Sequence, residues 1–118
     1  MPAGFAQALR GREEISITVI GRRTRRRITL PVWFVTKGKT LWLLPVRGSR
    51  SQWLRNLQAN PMITVHAGRR RHATTVHLVR NRRTVQSVVA KFRGKYTPGE
   101  INQYYGRFDV AVAVPVEA

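Results

Sequence analysis

ITLPVWFVTKGKTLWLLPV, residues 28–46, decides how this chain reads. Residues 28–36 are β-branched and aromatic, Lys37-Gly38-Lys39 makes a glycine-centred turn, and residues 40–46 return as a second apolar run. That is the pattern of a β-hairpin. Pro31 has no amide hydrogen to give a neighbouring strand, which places the first strand at a sheet edge or a bulge.

Toward the N-terminus, ISITVI (15–20) is another β-branched run, ended by Gly21, and RRTRRR (22–27) forms a basic loop or hairpin turn. On the other side, RGSRSQWLRNLQANP (47–61) reads as loop then helix. Ser49 or Ser51 serves as N-cap, Trp53, Leu54 and Leu57 make the apolar face, and Asn60-Pro61 is the stop. MITVHAG (62–68) and HATTVHLVR (72–80) alternate as strands, and residues 82–96 carry helical spacing through Val85, Val88, Val89 and Phe92. Thr97-Pro98-Gly99-Glu100 has the form of a capping box with proline in the first turn, opening a short helix to about Gly106. RFDVAVAVPV (107–116) closes the chain as a strand, Val110, Val112 and Val114 on one face and Ala111 and Ala113 on the other. The order β-β-β-α-β-β-α-α-β with short turns implies a single domain over residues 1–118. It is mainly β and antiparallel, a small barrel with about three short helices.

The charge is lopsided: 22 Lys+Arg against 5 Asp+Glu, formal net +17, and 18 of the basic residues are arginine. Arginine grips phosphate and carboxylate with a planar fork, so a polyanionic partner is expected, either a cofactor or nucleic acid. At 42% hydrophobic the chain can bury a core. A domain of this size hides only about two-thirds of its unfolded surface, so a ligand or a second copy would help it. There is no cysteine, hence no disulfide or thiolate metal site. The N-terminus lacks the apolar core of a signal peptide, and no apolar run approaches the ~18 residues of a membrane span. A cytoplasmic protein is expected.

Side-chain catalysis is poorly provisioned. Asp109 is the only aspartate, no serine sits in a GxSxG context, and the remaining carboxylates Glu13, Glu14, Glu100 and Glu117 read as exposed counter-charges. His66, His72 and His77 lie on strands, without the ligand cluster a metal needs. If the chain is an enzyme, a cofactor carries the chemistry. Two segments could hold one. The first is Gly21-Arg22-Arg23-Thr24-Arg25-Arg26-Arg27. The second, Pro45-Val46-Arg47-Gly48-Ser49-Arg50-Ser51-Gln52-Trp53, combines a glycine, two serine hydroxyls and a helix start, which suits an anion.

From Ile20 to Val65 the sequence resembles the deazaflavin-dependent nitroreductase family, relatives of the split-barrel pyridoxamine-phosphate-oxidase-like flavoproteins. The resemblance rests on Gly21-Arg22-Arg23-Thr24, Pro31 ten residues after Gly21, Arg47-Gly48, and Trp53-Leu54-Arg55-Asn56-Leu57-Gln58-Ala59-Asn60-Pro61. It implies a split barrel and an 8-hydroxy-5-deazaflavin cofactor (coenzyme F-420) with a phosphate and an oligoglutamate tail; FMN, used by related split barrels, is the alternative. By that resemblance Arg22, Arg23 and Thr24 hold the tail and phosphate. Pro31, Val32 and Trp33 lie beside the ring, Leu44, Pro45 and Val46 on the facing strand, and Arg47, Gly48, Gln52, Trp53, Leu54 and Asn56 on the loop-helix that closes over it. The chain departs from the family at Arg25, where relatives often have glycine, at Ile28, where they have arginine and this chain offers Arg27 instead, and at Val46, commonly serine.

The activity so implied is hydride transfer to a small acceptor such as a quinone or nitroaromatic, with Tyr104 or Tyr105 as candidate proton donors or packing residues. A cofactor-binding protein without turnover and a basic nucleic-acid binder are the alternatives. Trp33, Trp42 and Trp53 sit on apolar faces, which suits core packing rather than base stacking. Nucleic acid is therefore expected to bind only non-specifically through charge. Flavin split barrels pair through a two-fold axis, so a homodimer is expected.

Overall fold

The alternation of ISITVI folds as strand β1 (Glu14–Ile20), with Ile15, Ile17 and Val19 buried and Ser16 and Thr18 turned outward. The computed structural model describes residues 4–116, so Glu117 lies outside the described residues. Helix α1 (Phe5–Leu9) precedes β1, and β2 (Arg27–Trp33), β3 (Val35–Lys37) and β4 (Thr40–Leu43) follow it. A 3-10 turn at Gly48–Arg50 leads into α2 (Gln52–Ala59), then β5 (Met62–Ala67), β6 (Arg70–Thr75) and β7 (His77–Val79). Helices α3 (Arg82–Lys95) and α4 (Pro98–Tyr104) and strand β8 (Ala111–Pro115) complete the chain.

The strands form two four-stranded antiparallel sheets, in the orders β2-β1-β5-β6 and β3-β4-β8-β7. Their facing sides make the main core, where Ile17, Val19, Leu41, Leu43, Val65, Val112 and Val114 are wholly buried. The other side of the second sheet is covered by α3 and α4 through Val85, Val88, Val89, Phe92 and Ile101, which pack with Val35 and Ala111. The outer side of the first sheet is open and polar, with Thr18, Thr29, Thr64 and His66 joined by Arg27 and Arg71. Its register sets Thr18 opposite both Thr29 and Thr64.

Two long strands expected from the sequence each split between the sheets. The run 28–36 breaks at Phe34, and 72–80 breaks at Val76. Both residues are buried in the main core, while Trp33 and Val35, on either side of Phe34, pack in the helix-side cluster. Periodicity cannot reveal such a corner, because three consecutive apolar residues look like one buried strand. The corner at Phe34 is braced by Tyr96, whose hydroxyl accepts from the Phe34 N–H at 3.0 Å and donates to the Glu13 carbonyl at 2.6 Å. Lys95 Nζ donates to the Phe34 carbonyl at 2.9 Å. These bonds satisfy backbone groups that the change of sheet takes out of the ladders.

Other boundaries move for local reasons. Strand β4 stops at Leu43 rather than 46, since Pro45 cannot donate to a ladder and the Val46 carbonyl accepts instead from Gly106 N–H at 2.9 Å. Strand β8 starts at Ala111 rather than 107, because Asp109 is drawn to Ser49. Helix α1 is an addition to the three expected: five residues are too few for a periodic signal, yet Phe5 and Leu9 bury one face. The capping box at Thr97 and Glu100 forms as read.

Candidate active site

Strand β2 is an edge strand of the first sheet, which leaves Pro31 free of a second ladder and lets both faces of the strand border a cavity. The cavity has a volume of about 420 Å³ and is lined by Leu30, Pro31, Val32, Trp33, Leu44, Val46, Trp53, Tyr104, Tyr105, Glu14 and Glu100. That volume and the mostly apolar, aromatic lining suit a planar organic ring. Trp33 is its fixed wall: it stacks on Tyr96 with ring centroids 4.3 Å apart and meets Tyr104 edge-on at 5.7 Å. Tyr105 lies beneath, packed on Phe108 and Phe92. Burial, reinforced by the neighbouring Tyr96 phenol, pushes the Tyr105 hydroxyl well above the usual tyrosine range. It therefore holds its proton at neutral pH. Tyr104 is exposed at the mouth.

A smaller cleft of about 230 Å³ lies at the basic turn, lined by Gly21, Arg22, Arg25, Ala59, Asn60 and Pro61 among others. Gly21 N–H donates to the Arg26 carbonyl at 2.8 Å, and its own carbonyl accepts from Arg25 N–H at 2.9 Å. A side chain at Gly21 would press on Thr24 and Ile28, which is why glycine stands there. Strand β2 and helix α2 both run from this cleft to the larger cavity: Trp53 is in the first turn of α2, and Ala59 at its end. From Arg27, where the basic turn ends, the cavity-lining stretch Leu30–Trp33 lies about 10–20 Å along β2 at the rise of a strand.

The model of the F420H(2)-dependent quinone reductase family matches residues 2–117. The chain belongs to that family. It is accordingly a deazaflavin-dependent oxidoreductase, with coenzyme F-420 as the cofactor of its class. Among solved structures, an F420-H2 dependent reductase (FDR-A) is similar at 18% identity with a TM-score of 0.68, over 90% of this chain and 95% of that one. A pyridoxamine 5′-phosphate oxidase-like protein from Listeria innocua is similar at 11% identity with a TM-score of 0.71, over 97% and 91%. A domain-swapped dimer is similar at 18% identity and a TM-score of 0.68, over 90% and 81%. At these identities the likenesses establish the fold, a split barrel. Comparison with curated proteins finds no match.

For this F420H(2)-dependent quinone reductase family member, the residues named from the sequence fall into three groups. Pro31, Val32, Trp33, Leu44, Val46, Trp53, Tyr104 and Tyr105 converge on the larger cavity. Arg22 and Arg25 line the smaller cleft, with Arg23 and Thr24 exposed between them. The others lie outside both. Pro45 and Leu54 are buried in packing, and Arg27 faces the outer surface of the first sheet. Gln52 and Asn56 are engaged by Arg22, whose guanidinium donates to Gln52 Oε1 at 2.8 Å and Asn56 Oδ1 at 2.8 Å. Arg22 thus fastens the basic turn to α2.

In the loop at 47–51 the two serines are engaged within the protein, while Arg47 and Arg50 are exposed. Ser49 N–H and Oγ donate to Asp109 at 2.9 and 2.6 Å, and Ser51 Oγ accepts from Arg47 N–H at 3.0 Å, so neither serine caps α2 with its side chain. Gly48 has φ +55°, and a Cβ there would collide with the Asp109 carboxylate. The Asp109 carboxylate thus takes up the Ser49 donors of this loop. Glu14, Glu100 and Leu30 line the cavity without having been foreseen; the Glu14–Trp33 strand pairing that brings Glu14 there has no local sequence signal.

Proposed function

We propose that the 420 Å³ cavity receives the deazaflavin ring together with the acceptor, and that the Gly21–Arg27 turn holds the anionic tail. The observation that carries this is the convergence of Pro31, Val32, Trp33, Leu44, Val46 and Trp53, drawn from three separated segments, on one apolar cavity. The basic turn lies at the other end of the same edge strand. The residues fit such a group: a mostly apolar cavity lined, among the described residues, by no lysine or arginine suits a ring, and exposed arginines in the turn before the same strand suit phosphate and carboxylates. When bound and reduced, the deazaflavin supplies a hydride equivalent. The chain's own part is positional. Trp33, held by Tyr96, and Trp53 border the ring's place, Val46 and Tyr104 bound the acceptor's side, and the exposed arginines fix the tail. The acceptor proposed is a quinone or another small planar aromatic.

Fluorescence titration of purified protein with coenzyme F-420 and with FMN tests the reading. The longer, more anionic deazaflavin should bind more tightly at low salt. Arg23→Ala and Arg25→Asn (Arg25 has φ +61°, which asparagine tolerates) should each weaken it by about 10- to 150-fold, the worth of a charged hydrogen bond. Replacing Arg82 or Arg83, on α3 and lining neither cleft, should change little. Equal losses for all four, or tighter FMN binding, would overturn the assignment.

We further infer a two-fold homodimer. Among the described residues, strands β2, β6, β3 and β7 are the end strands of their sheets, and sheet edges are seldom left uncovered. Light scattering should give a mass near twice the 13.5 kDa chain; a monomer at micromolar concentration would refute it.

A further inference from the structure

In a chain of net charge +17, four other clefts are lined by basic side chains. Lys91 lines two of them, Arg27 and Arg71 a third, and Arg22 and Arg25 a fourth. The ring cavity breaks the pattern. Among the described residues no lysine or arginine lines it, and two of the chain's few carboxylates, Glu14 and Glu100, do. Glu14 pairs across the sheet with Trp33. Glu100 is held in place by Thr97, whose N–H and hydroxyl both donate to its Oε1, at 3.3 and 3.0 Å. Tyr104, four residues on, shares its helix face and reaches the same cavity.

We propose that this cavity admits planar aromatic acceptors that are neutral or cationic and rejects anionic ones, with Glu14 and Glu100 as the specificity-determining pair; this rests on the acceptor entering the cavity assigned above. A ligand there loses water between Trp33, Trp53 and Tyr104, and in such surroundings charge acts more strongly than in bulk water. The aromatic faces add attraction for a cation. The chain's overall positive field draws anions from a distance, but it is screened beyond about 8–10 Å at physiological salt. The lining carboxylates, half-buried Glu100 and exposed Glu14, lie within that distance of an occupant, and they set the sign that it meets.

The test uses three probes with one ring: naphthalene-2-carboxamide, naphthalene-2-sulfonate and a trimethylammonium-methyl naphthalene. Each is titrated calorimetrically into the full chain, with and without oxidised coenzyme F-420, at about 0.15 M and about 0.5 M salt. The sulfonate should bind at least about 10-fold more weakly than the other two, about 1.4 kcal/mol. The gap should survive high salt, which removes the long-range field. In Glu14→Gln/Glu100→Gln it should close to within about 3-fold, the range expected once the local charges are gone. Glutamine serves in a capping box as glutamate does, so the double variant retains α4, and an unchanged melting temperature verifies that. Should it melt low, Glu14→Gln alone, at an exposed strand end, must still narrow the gap. A sulfonate that binds as well as the carboxamide, or a gap unaltered in the folded variant, overturns the proposal. Failure of the coenzyme to bind would instead sink the cofactor reading, and the unloaded chain would still decide the question of charge.

Discussion

Asp109 does the most with a single side chain. Its carboxylate accepts from Ser49 N–H and Oγ and from Arg107 Nε, at 2.9, 2.6 and 2.9 Å, joining the connection between α4 and β8 to the loop before α2. Burial raises its pKa, but the Ser49 and Arg107 bonds outweigh that and hold it below the usual 3.8. A carboxyl depressed in the fold contributes stability that is complete above the unfolded value and is lost as pH falls through the folded one. Asp109→Ala should therefore cost about 1–2 kcal/mol at neutral pH, discounted for a side chain one-third exposed. The urea midpoints of variant and wild type should draw together as pH drops below 3.8. A constant gap down to pH 2 would show that packing, not charge, is lost. None of this was legible in sequence. Asp109 and Ser49 are 60 residues apart, and a lone aspartate ahead of a strand carries no mark of its partner. Arg22 shows the same limit: its place in a basic run suggests a ligand contact, but nothing local reveals that its guanidinium also meets Gln52 and Asn56 of α2.

At the scale of elements, the strands and helices were visible wherever one face is buried and the other wet. The alternation of β1 and β5, the capping box of α4 and the valine spacing of α3 all formed as read. What escaped were the corners, because Trp33-Phe34-Val35 is apolar on every side and the change of sheet leaves no periodic trace. The cavity depends on that corner, since it directs Trp33 away from the main core. Tyr96 holds it with one hydroxyl, and burial pushes that hydroxyl up to about 12. Tyr96→Phe keeps the ring stacked on Trp33 but strands the buried Phe34 N–H, at a cost of about 1–3 kcal/mol. Denaturant unfolding should report the loss, and hydrogen exchange at the Phe34 amide should quicken beyond the global change. Unchanged exchange there would mean that the corner is held by packing alone.

Taken whole, the molecule carries a charge that no accessible pH removes. Neutralising its four lysines would still leave the guanidiniums of 18 arginines against five acids, and the isoelectric point is near 12.0. Its alkaline behaviour is therefore set by a few groups whose pKa differs between folded and unfolded chain. Lys95 is the first. Burial lowers it from 10.5 to about 8, partly offset by Glu13, with its ammonium 3.4 Å from the Phe34 ring centroid. Between those values the unfolded chain keeps this proton and the folded chain has lost it, so stability rises with pH. Tyr96 and Tyr105 act in the opposite sense. Both are raised above 10.0 by burial, so beyond that pH the unfolded chain ionises first and stability falls. Urea midpoints measured from pH 7 to 11 should pass through a maximum between about 8 and 10, well below the isoelectric point, as linkage rather than net charge dictates. Lys95→Met should abolish the rising limb and keep the falling one. A steady decline from pH 7 in the wild type, or an identical profile in the variant, would show that Lys95 titrates as it does in the unfolded chain and that the Phe34 corner does not hold a desolvated amine.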